Sequence, residues 1–272
     1  MKTARRIAVA AGPPVVFALI VLGLWQLYAS VGPVSSLTLP KPTEVASALW
    51  ENRELLLENT WITVEEILLG FLAAMVLGFL LAVLIHSSRM IERALYPWLV
   101  ASQMVPVPAV APLIVIWTGF DIRPKVIVIA LVCFFPITVN TIDGLRAADP
   151  ELLRLLRTLR ANRVQRFVKA QLPAALPFVF SGLKVAAAFS VIGAVFAEWV
   201  GSSEGLGYLI LTLNNQSATA EMFATIAILG VIGIALFLVV RAIEHFALPW
   251  YYEAREEEGE GEAEGLAIGV EV

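Results

Sequence analysis

Six cations between Arg154 and Lys169 are the residues whose type and spacing most clearly indicate chemistry, because one stands at every third position. They are Arg154, Arg157, Arg160, Arg163, Arg166 and Lys169. Guanidinium and ammonium groups bind carboxylates and phosphates, so the run predicts an anionic partner, either a protein surface or lipid headgroups. A step of three residues turns about 300° on an α-helix, so one uninterrupted helix would spread these charges around its surface. Two shorter helices with a bend between them are therefore expected.

Both of these helices have a predicted start. Asp149 offers an N-cap and Pro150 fits the first turn. Asn162 offers the second N-cap, with Gln165 three residues later as its capping-box partner. The prolines at 173 and 177 are expected to end the second helix. Apolar residues repeat at helical spacing at Leu152, Leu155, Leu156, Leu159, Val164, Phe167, Val168 and Leu172. Two capped amphipathic helices favour a docking element of fixed shape over a basic patch lying on lipid.

Metal, redox and nucleotide chemistry have little support in the sequence. His86 and His245 are the two histidines and are far apart, and Cys133 is the one cysteine. No G-x-x-x-x-G-K-[ST] phosphate loop occurs, so the chain lacks that means of cradling ATP. We expect no catalytic residue, metal site or cofactor in this chain.

The composition is that of a membrane protein. Hydrophobic residues make up 59% of the 272 residues and charged residues 15%, and the mean hydropathy is +0.81. A helix crosses the hydrocarbon layer with about 20 apolar residues, and six stretches approach that length. They are Gly12 to Val31, Ile67 to Ile85, Tyr96 to Trp117, Val126 to Ile142, Phe178 to Ala197 and Met222 to Val240. The expected fold is an all-α membrane protein with six spans and a long loop at 143–177.

The distribution of cations predicts the orientation. With a cytoplasmic N-terminus, 15 of the 19 lysines and arginines lie on or near the inner side, and 4 lie outside. This asymmetry follows the positive-inside rule, and six spans then place both termini in the cytoplasm. Residues 253–272 contain eight glutamates and one arginine, which predicts a disordered acidic tail after a single membrane domain at 1–252.

Several segments resemble a known family. The sequence DPELLRLLRTLRANRVQRFVKAQLPAALP resembles the cytoplasmic loop of membrane permease subunits of ATP-binding-cassette (ABC) importers. The pattern of that loop is E-A-A, three residues, G, about nine residues and I-x-L-P. The segments LPKPTEV, VPVPAVAPLIVIWTGF, FFPITVNTIDGL and SGLKVAAAFSVIGAVFAEWVGSSEGLGYLI resemble the nitrate, sulfonate, taurine and pyrimidine branch. The resemblance covers about Leu39 to Arg241.

The resemblance implies a function and a set of partners. In that family the loop forms coupling helices that sit in a groove of a separate ATPase subunit, which holds ATP and magnesium. A permease dimer, two ATPase subunits and an extracytoplasmic substrate-binding protein are implied. The coupling residues implied here are Asp149, Pro150, Arg154, Arg157, Arg160, Ala161, Asn162, Phe167, Leu172 and Pro173.

The loop departs from the family pattern at two places. Arg154, followed by two leucines, stands where the family has Glu-Ala-Ala, which reverses a charge and predicts a more acidic contact on the ATPase. Arg160 stands where the family has glycine. Because arginine does not adopt a positive φ as readily as glycine, we expect the bend to shift toward Ala161 and Asn162.

Candidate pathway residues lie in or next to the spans. Prolines interrupt the third span, and a broken helix either lines a transport route or is simply kinked within a packed bundle. Polar side chains within the spans either face the route or form packing hydrogen bonds. The segment after the fifth span is implied by the resemblance to be a gate or a docking site for the binding protein. The candidates are Gln103, Pro106, Pro108, Asn140, Ser190, Glu198, Gly205 and Gly207. Lys184 is expected to extend to the inner interface.

The substrate follows only from the resemblance, which points to a pyrimidine thiamin precursor or a similar heterocycle. Riboflavin-type, sulfonate, taurine and nitrate transport are the alternatives within the branch. No arginine lies in the spans, which favours a neutral solute over an anion. From another class, DGLRAADP at Asp143 matches the start of the aspartate-rich motif of lipid-head-group transferases, but no aspartate follows Asp149. An ion-driven transporter typically has inverted repeats, which are not evident.

Overall fold

The computed structural model describes residues 2–251, and every regular element in this range is helical. The predicted all-α architecture is therefore confirmed. The helices are α1 (Lys2–Val31), α2 (Pro42–Glu51), α3 (Arg53–Ser87), α4 (Arg89–Ser102), α5 (Val107–Thr118), α6 (Ile122–Arg146), α7 (Pro150–Thr158), α8 (Arg163–Arg166), α9 (Leu172–Gly201), α10 (Leu206–Asn215) and α11 (Thr219–Ala247). The predicted acidic tail at 253–272 lies outside the described residues.

Five helical segments are long and apolar enough to cross a membrane, and a sixth is obtained if one bent pair counts as a span. These segments are Gly12–Val31, Arg53–Ser87, Ile122–Arg146, Arg163–Gly201 and Thr219–Ala247, with the bent pair Arg89–Ser102 and Val107–Thr118. Each of the six predicted spans falls within one of them. Most of the helices extend well beyond the apolar stretch, because capping and packing, and not hydropathy, decide where they end.

The stretch at 96–117 is divided between α4 and α5, which meet at an angle of 99°. Pro106 is the N-cap residue of α5, and Pro108 lies in its first turn. Pro106 has no backbone N–H to donate and disfavours a helical conformation at Val105, so α4 does not continue into α5 here. Pro108 fits the first turn of α5, where no intrahelical N–H is needed. By contrast Pro112 and Pro136 lie within intact helices.

The chain forms two compact units, of which the larger comprises 64–201 and the described residues from 231 onward. Its core is built on α6 and α9. Gly182 and Gly193 allow these helices to approach closely, because a Cβ on Gly182 would lie 2.8 Å from the Pro136 carbonyl oxygen and one on Gly193 would lie 3.1 Å from Ile129 Cα. Small residues serve this purpose in membrane helix packing. Residues of α3 complete the core, including Ile67 and Ala74.

The smaller unit comprises 2–63 and 202–230. Here α2 packs its buried Val45 and Ala48 against Ala224 of α11. A second apolar cluster joins Leu56 of α3 to Leu209 and Leu213 of α10. Helix α10 ends in a turn that satisfies its last carbonyls, with Ser217 at a φ of 57°.

Candidate functional site

The loop that carries the six cations begins with the predicted cap. Asp149 Oδ1 accepts a hydrogen bond of 2.8 Å from the Glu151 N–H, and Pro150 opens α7. The cap satisfies one of the backbone donors that a helix N-terminus leaves free, and Glu151 adds a favourable charge in the first turn. The predicted N-cap is therefore confirmed.

The bend after α7 lies at Arg160 itself. Arg160 has a φ of 58°, its N–H donates to the Arg157 carbonyl oxygen at 2.9 Å, and the Ala161 N–H donates to the Leu156 carbonyl oxygen at 2.9 Å. This pair of hydrogen bonds is the Schellman motif, whose left-handed residue is usually glycine. The expectation that arginine would move the bend toward Ala161 and Asn162 was wrong, because satisfying two helix carbonyls outweighs the cost of one left-handed arginine.

We expect Arg160→Gly to stabilise the bend by up to about 1 kcal/mol, since a left-handed non-glycine residue costs about 1–2 kcal/mol and glycine loses part of this gain through its freer unfolded chain. Arg160→Val should instead destabilise it, because a β-branched residue is strained at positive φ. Hydrogen exchange of the Ala161 amide measures the effect. Exchange in the order glycine slowest, arginine intermediate and valine fastest is expected, and equal rates would contradict the assignment of strain to Arg160.

The second helix starts as predicted but does not end as predicted. Asn162 and Gln165 form the reciprocal capping box, with bonds of 2.8 and 2.9 Å. Helix α8 then runs through a π turn at Phe167–Gln171 directly into α9. The expectation that the prolines at 173 and 177 end the helix was wrong. The wider π turn bonds the Leu172 N–H to the Phe167 carbonyl oxygen, and it falls immediately before Pro173, where an α-helical turn would be crowded.

The apolar face of this loop is exposed. Leu155 is 56% exposed, Leu159 69%, Val164 69% and Val168 52%. No residue of α7 or α8 is buried. Since the caps fix the shape of this loop while its apolar residues face outward, it presents a preformed surface that lacks its partner in the single chain. Arg154 lies on the same exposed segment.

The loop is nevertheless anchored to the rest of its unit. Ala170 is buried, Phe167 is partly buried, and Gln171 Nε2 lies 2.9 Å from His86 Nε2 at the end of α3. Arg146, just before the loop, forms an ion pair with Glu92 of α4. These contacts hold the loop at one end of α3, α4 and α6.

The residues predicted at the break of the third span are accessible. Gln103 is the C-cap of α4, and Gln103, Pro106 and Pro108 are all exposed. Between them Met104 is 74% exposed. The break therefore offers a surface to a solute, to lipid or to a second protein chain.

The polar residues predicted inside α6 and α9 have partners in their own helices. Asn140 Nδ2 donates to the Pro136 carbonyl oxygen at 2.8 Å, and Ser190 Oγ donates to the Ala187 carbonyl oxygen at 2.8 Å. Ser190 is fully buried. Its hydroxyl is not available to a solute in this conformation.

Glu198 belongs to a buried charged cluster that joins three helices. It is fully buried in α9 and close enough to hydrogen-bond Glu66 of α3. Glu66 Oε1 in turn lies 2.6 Å from the Lys125 ammonium nitrogen of α6, with side chains 2% and 10% exposed. Two carboxyl groups are thus buried near one ammonium group, and the ion pair of Lys125 with Glu66 offsets part of the cost of burying these charges.

Gly205 and Gly207 lie in the smaller unit, at the start of α10. Gly205 has a φ of 101°, which explains the glycine, and its N–H donates to Asn59 Oδ1 at 2.7 Å. The next N–H, of Leu206, donates to Thr63 Oγ1 at 2.8 Å. The two side chains of α3 cap α10 from the side and fix this segment.

Lys184 was expected to extend to the inner interface, but in the structure its side chain pairs with a carboxylate instead. Its ammonium nitrogen lies 2.8 and 3.0 Å from the two carboxylate oxygens of Glu244 on α11. The partly buried position favours this pairing, because an unpaired charge would lose its water without compensation.

Comparison with known proteins identifies the family. Residues 74–249 match the model of the binding-protein-dependent transport system inner membrane component. The chain belongs to this family. It is an ABC importer permease and a multi-pass inner-membrane protein, as the resemblance implied. The interpretation as a lipid-head-group transferase is not supported, because the matching family and relatives are transport permeases.

The permease is similar to proteins with assigned transport systems. It is 38% identical to the formylaminopyrimidine transport permease protein ThiX of Halalkalibacterium halodurans, over 87% of this chain and 95% of the relative. It is 35% identical to the putative aliphatic sulfonates transport permease protein SsuC of Bacillus subtilis, over 85% and 84%. A chain from the inward-facing MetNI methionine ABC transporter has a TM-score of 0.60 at 17% identity, covering 70% of the permease and 97% of that chain.

Two ion pairs of the permease were missed in the sequence. Glu66 and Lys125 each lie at the edge of an apolar stretch and were assigned to the segments outside it. Glu244 was likewise counted outside the last span. The sequence did contain a signal for these pairs. Charged residues of opposite sign lie next to different predicted spans, and such residues pair with one another when they are buried.

Proposed function

We propose that residues 149–173 of the permease dock a separate ATPase subunit at the cytoplasmic face and transmit its movement to the membrane helices. The observation that carries this proposal is the outward-facing apolar surface of α7 and α8, with Leu155 and Leu159 more than half exposed on a segment that two caps hold in shape. An amphipathic helix with its apolar face unpaired fits a hydrophobic groove on a partner.

The connection to the membrane supports a mechanical role. Helix α8, the π turn and α9 form one continuous helical segment, Arg163–Gly201. A displacement of the docked loop would therefore move the fifth span as a lever. Lys184 and Glu198 on this segment pair with α11 and α3 respectively, so the same movement would act on the packing of three spans.

The translocation path is proposed to lie at the exposed break between α4 and α5. Gln103, Pro106 and Pro108 are exposed in the single chain, as the lining of a path between two copies would be. A homodimer of the permease supplies the second wall. Gly205 and Gly207 are proposed to mark a gate or a docking segment for the binding protein. Glu198 is buried, and its proposed role is to hold the end of α9 in place.

The proposed substrate is a pyrimidine precursor of thiamin or a similar neutral heterocycle, delivered by an extracytoplasmic binding protein. Two observations support it: the similarity to a formylaminopyrimidine permease and the absence of arginine from the six predicted apolar stretches. Sulfonate transport is the alternative, supported by the relative named for aliphatic sulfonates.

Co-purification tests the docking proposal. A tagged permease expressed with candidate ATPase and binding-protein subunits from the same organism is expected to retain an ATPase through size-exclusion chromatography in detergent. Retention of lipid without any ATPase would contradict the proposal and favour a loop that only binds the membrane surface.

A thermal-shift screen of the neighbouring binding protein tests the substrate. We expect formylaminopyrimidine to raise the melting temperature, and taurine and alkyl sulfonates to leave it unchanged. The measurement is decisive because binding to the folded state stabilises it in proportion to the logarithm of ligand concentration over Kd. Stabilisation by sulfonates alone would replace the proposed substrate by the alternative.

A further inference from the structure

A cleft of ≈ 600 Å³ lies on the inner side of the coupling loop, facing the turn between α3 and α4. We call it the arginine cleft because Arg157, Arg163 and Arg166 line it, together with Ser87 and Ser88. It is distinct from the exposed leucine face, whose residues Leu155 and Leu159 are not among its lining. Its volume is within the range of sites for small molecules.

The charge of the arginine cleft is not balanced within the part of the chain that the structure describes. None of the described residues that line it is acidic. The ion pairs formed by side chains within residues 12–251 include none of its three arginines. Glu92, an acidic residue of the first turn of α4, is paired with Arg146. Three guanidinium groups around one space repel each other, so an anion in that space would be stabilised by all of them.

Hydrogen-bond donors are also available there. Arg166 Nε is buried and has no hydrogen-bond partner within the described part of the chain. Ser88 is the N-cap of α4, a helix of 14 residues, so the positive end of that helix points toward the cleft. A buried donor without an acceptor is destabilising, and an oxygen of a bound anion would accept its hydrogen bond and offset that cost.

The rest of the lining is apolar apart from His86 and Gln171, whose side chains contact each other at 2.9 Å, and most of its apolar residues lie at the ends of span helices. Val83 belongs to the last turns of the span α3, and Phe167 lies in the π turn before the fifth span; Leu153 of α7 lines the same space. Free phosphate would leave these apolar side chains in contact with water. A phospholipid would place its phosphate between the arginines and its glycerol and acyl carbons against the apolar residues.

We propose that the arginine cleft binds the phosphate group of an anionic phospholipid. The proposal rests on the proposed function only in placing this end of the permease at the cytoplasmic membrane surface. A lipid bound there would join the coupling loop to the turn between α3 and α4, and would set the position of the loop against the membrane. Transport would then depend on the anionic lipid content of the bilayer.

The test uses the full-length permease in nanodiscs of phosphatidylcholine, with or without phosphatidylglycerol, and native mass spectrometry to count retained lipids. We expect phosphatidylglycerol to be retained by the unmodified permease and its apparent affinity to fall about tenfold in Arg163→Gln with Arg166→Gln. The matched control is Arg154→Gln with Arg160→Gln, which removes the same charge from the same loop outside the cleft. The apparent affinity of this control variant for phosphatidylglycerol should stay within about twofold of that of the unmodified permease.

Any of four outcomes overturns the proposal. Equal losses in both pairs would show that lipid responds to diffuse loop charge, and no loss in either would show that the cleft is unused. If inorganic phosphate, added to the permease in nanodiscs of phosphatidylcholine alone, stabilised the permease as much as phosphatidylglycerol does, the site would be assigned to free phosphate. If the glutamine pair does not fold, Arg166→Lys decides, since it keeps the charge but loses the Nε donor: weakened retention is expected, and unchanged retention contradicts the site. ATPase retention in the same preparations reports separately on the proposed function.

Discussion

Leu155→Asp combined with Leu159→Asp is expected to release the ATPase from the permease and to abolish transport. Both leucines are more than half exposed on the loop, and the proposed partner groove buries them. Truncating or charging a central apolar contact costs about 2 kcal/mol or more, so two such changes correspond to roughly 1,000-fold in Kd. Co-purification of the ATPase and uptake by proteoliposomes measure the loss.

The control for this prediction is Leu155→Met with Leu159→Met, which keeps the apolar area and should retain the ATPase within about tenfold. Because neither leucine is buried in the permease, the aspartate variant should keep the melting temperature of the isolated subunit. Retention of the ATPase by the aspartate variant, in a folded protein, would show that the leucine face is not the docking surface.

Lys125→Met is expected to lower the free energy of unfolding by about 3–5 kcal/mol, because it leaves the buried Glu66 and Glu198 without a cation. The Lys125 ammonium lies 2.6 Å from Glu66, and both side chains are almost completely buried. Replacing Glu66 at the same time should recover most of the lost stability. The free energy of unfolding of Lys125→Met with Glu66→Gln is therefore expected within about 2 kcal/mol of that of the unmodified permease. Denaturation in mixed micelles measures these differences.

Arg123→Met is the matched control, two residues away on the same helix. Its side chain is 74% exposed and 3.1 Å from Asp121, and a surface ion pair of this kind contributes about 0–1 kcal/mol. A loss in Arg123→Met as large as that in Lys125→Met would indicate a general effect of charge at this end of α6. A double variant no more stable than Lys125→Met would show that the two residues do not act as a pair.

Local sequence signals predicted the parts of the fold that depend on neighbours in the chain. Asp149 and Asn162 cap their helices because each cap involves residues two or three positions away. The spans follow from the length of apolar runs, and the break at Pro106 follows from the covalent chemistry of proline. The leucine face was visible in the spacing, although only the structure shows that it points outward.

Features that depend on contacts between distant residues, or on a balance between opposing energies, could not be predicted from local sequence signals. Glu66 and Lys125 are 59 positions apart, so no local pattern joins them. Arg160 adopts a positive φ because two hydrogen bonds of the preceding helix require it, against its own preference. Pro173 follows a π turn, a rare element whose occurrence depends on how the loop meets the fifth span. The arginine cleft likewise exists only because the loop folds back toward α3.

The proposed ATP-driven import can be measured in proteoliposomes that contain the permease, the ATPase and enclosed ATP. The binding protein and labelled formylaminopyrimidine are added outside, and uptake of the label is followed. We expect uptake only when all of these components are present, and its loss when ATP is replaced by a nonhydrolysable analogue. Uptake by the permease alone, driven by a sodium or proton gradient and unaffected by ATP, would contradict ATP-driven import through this permease.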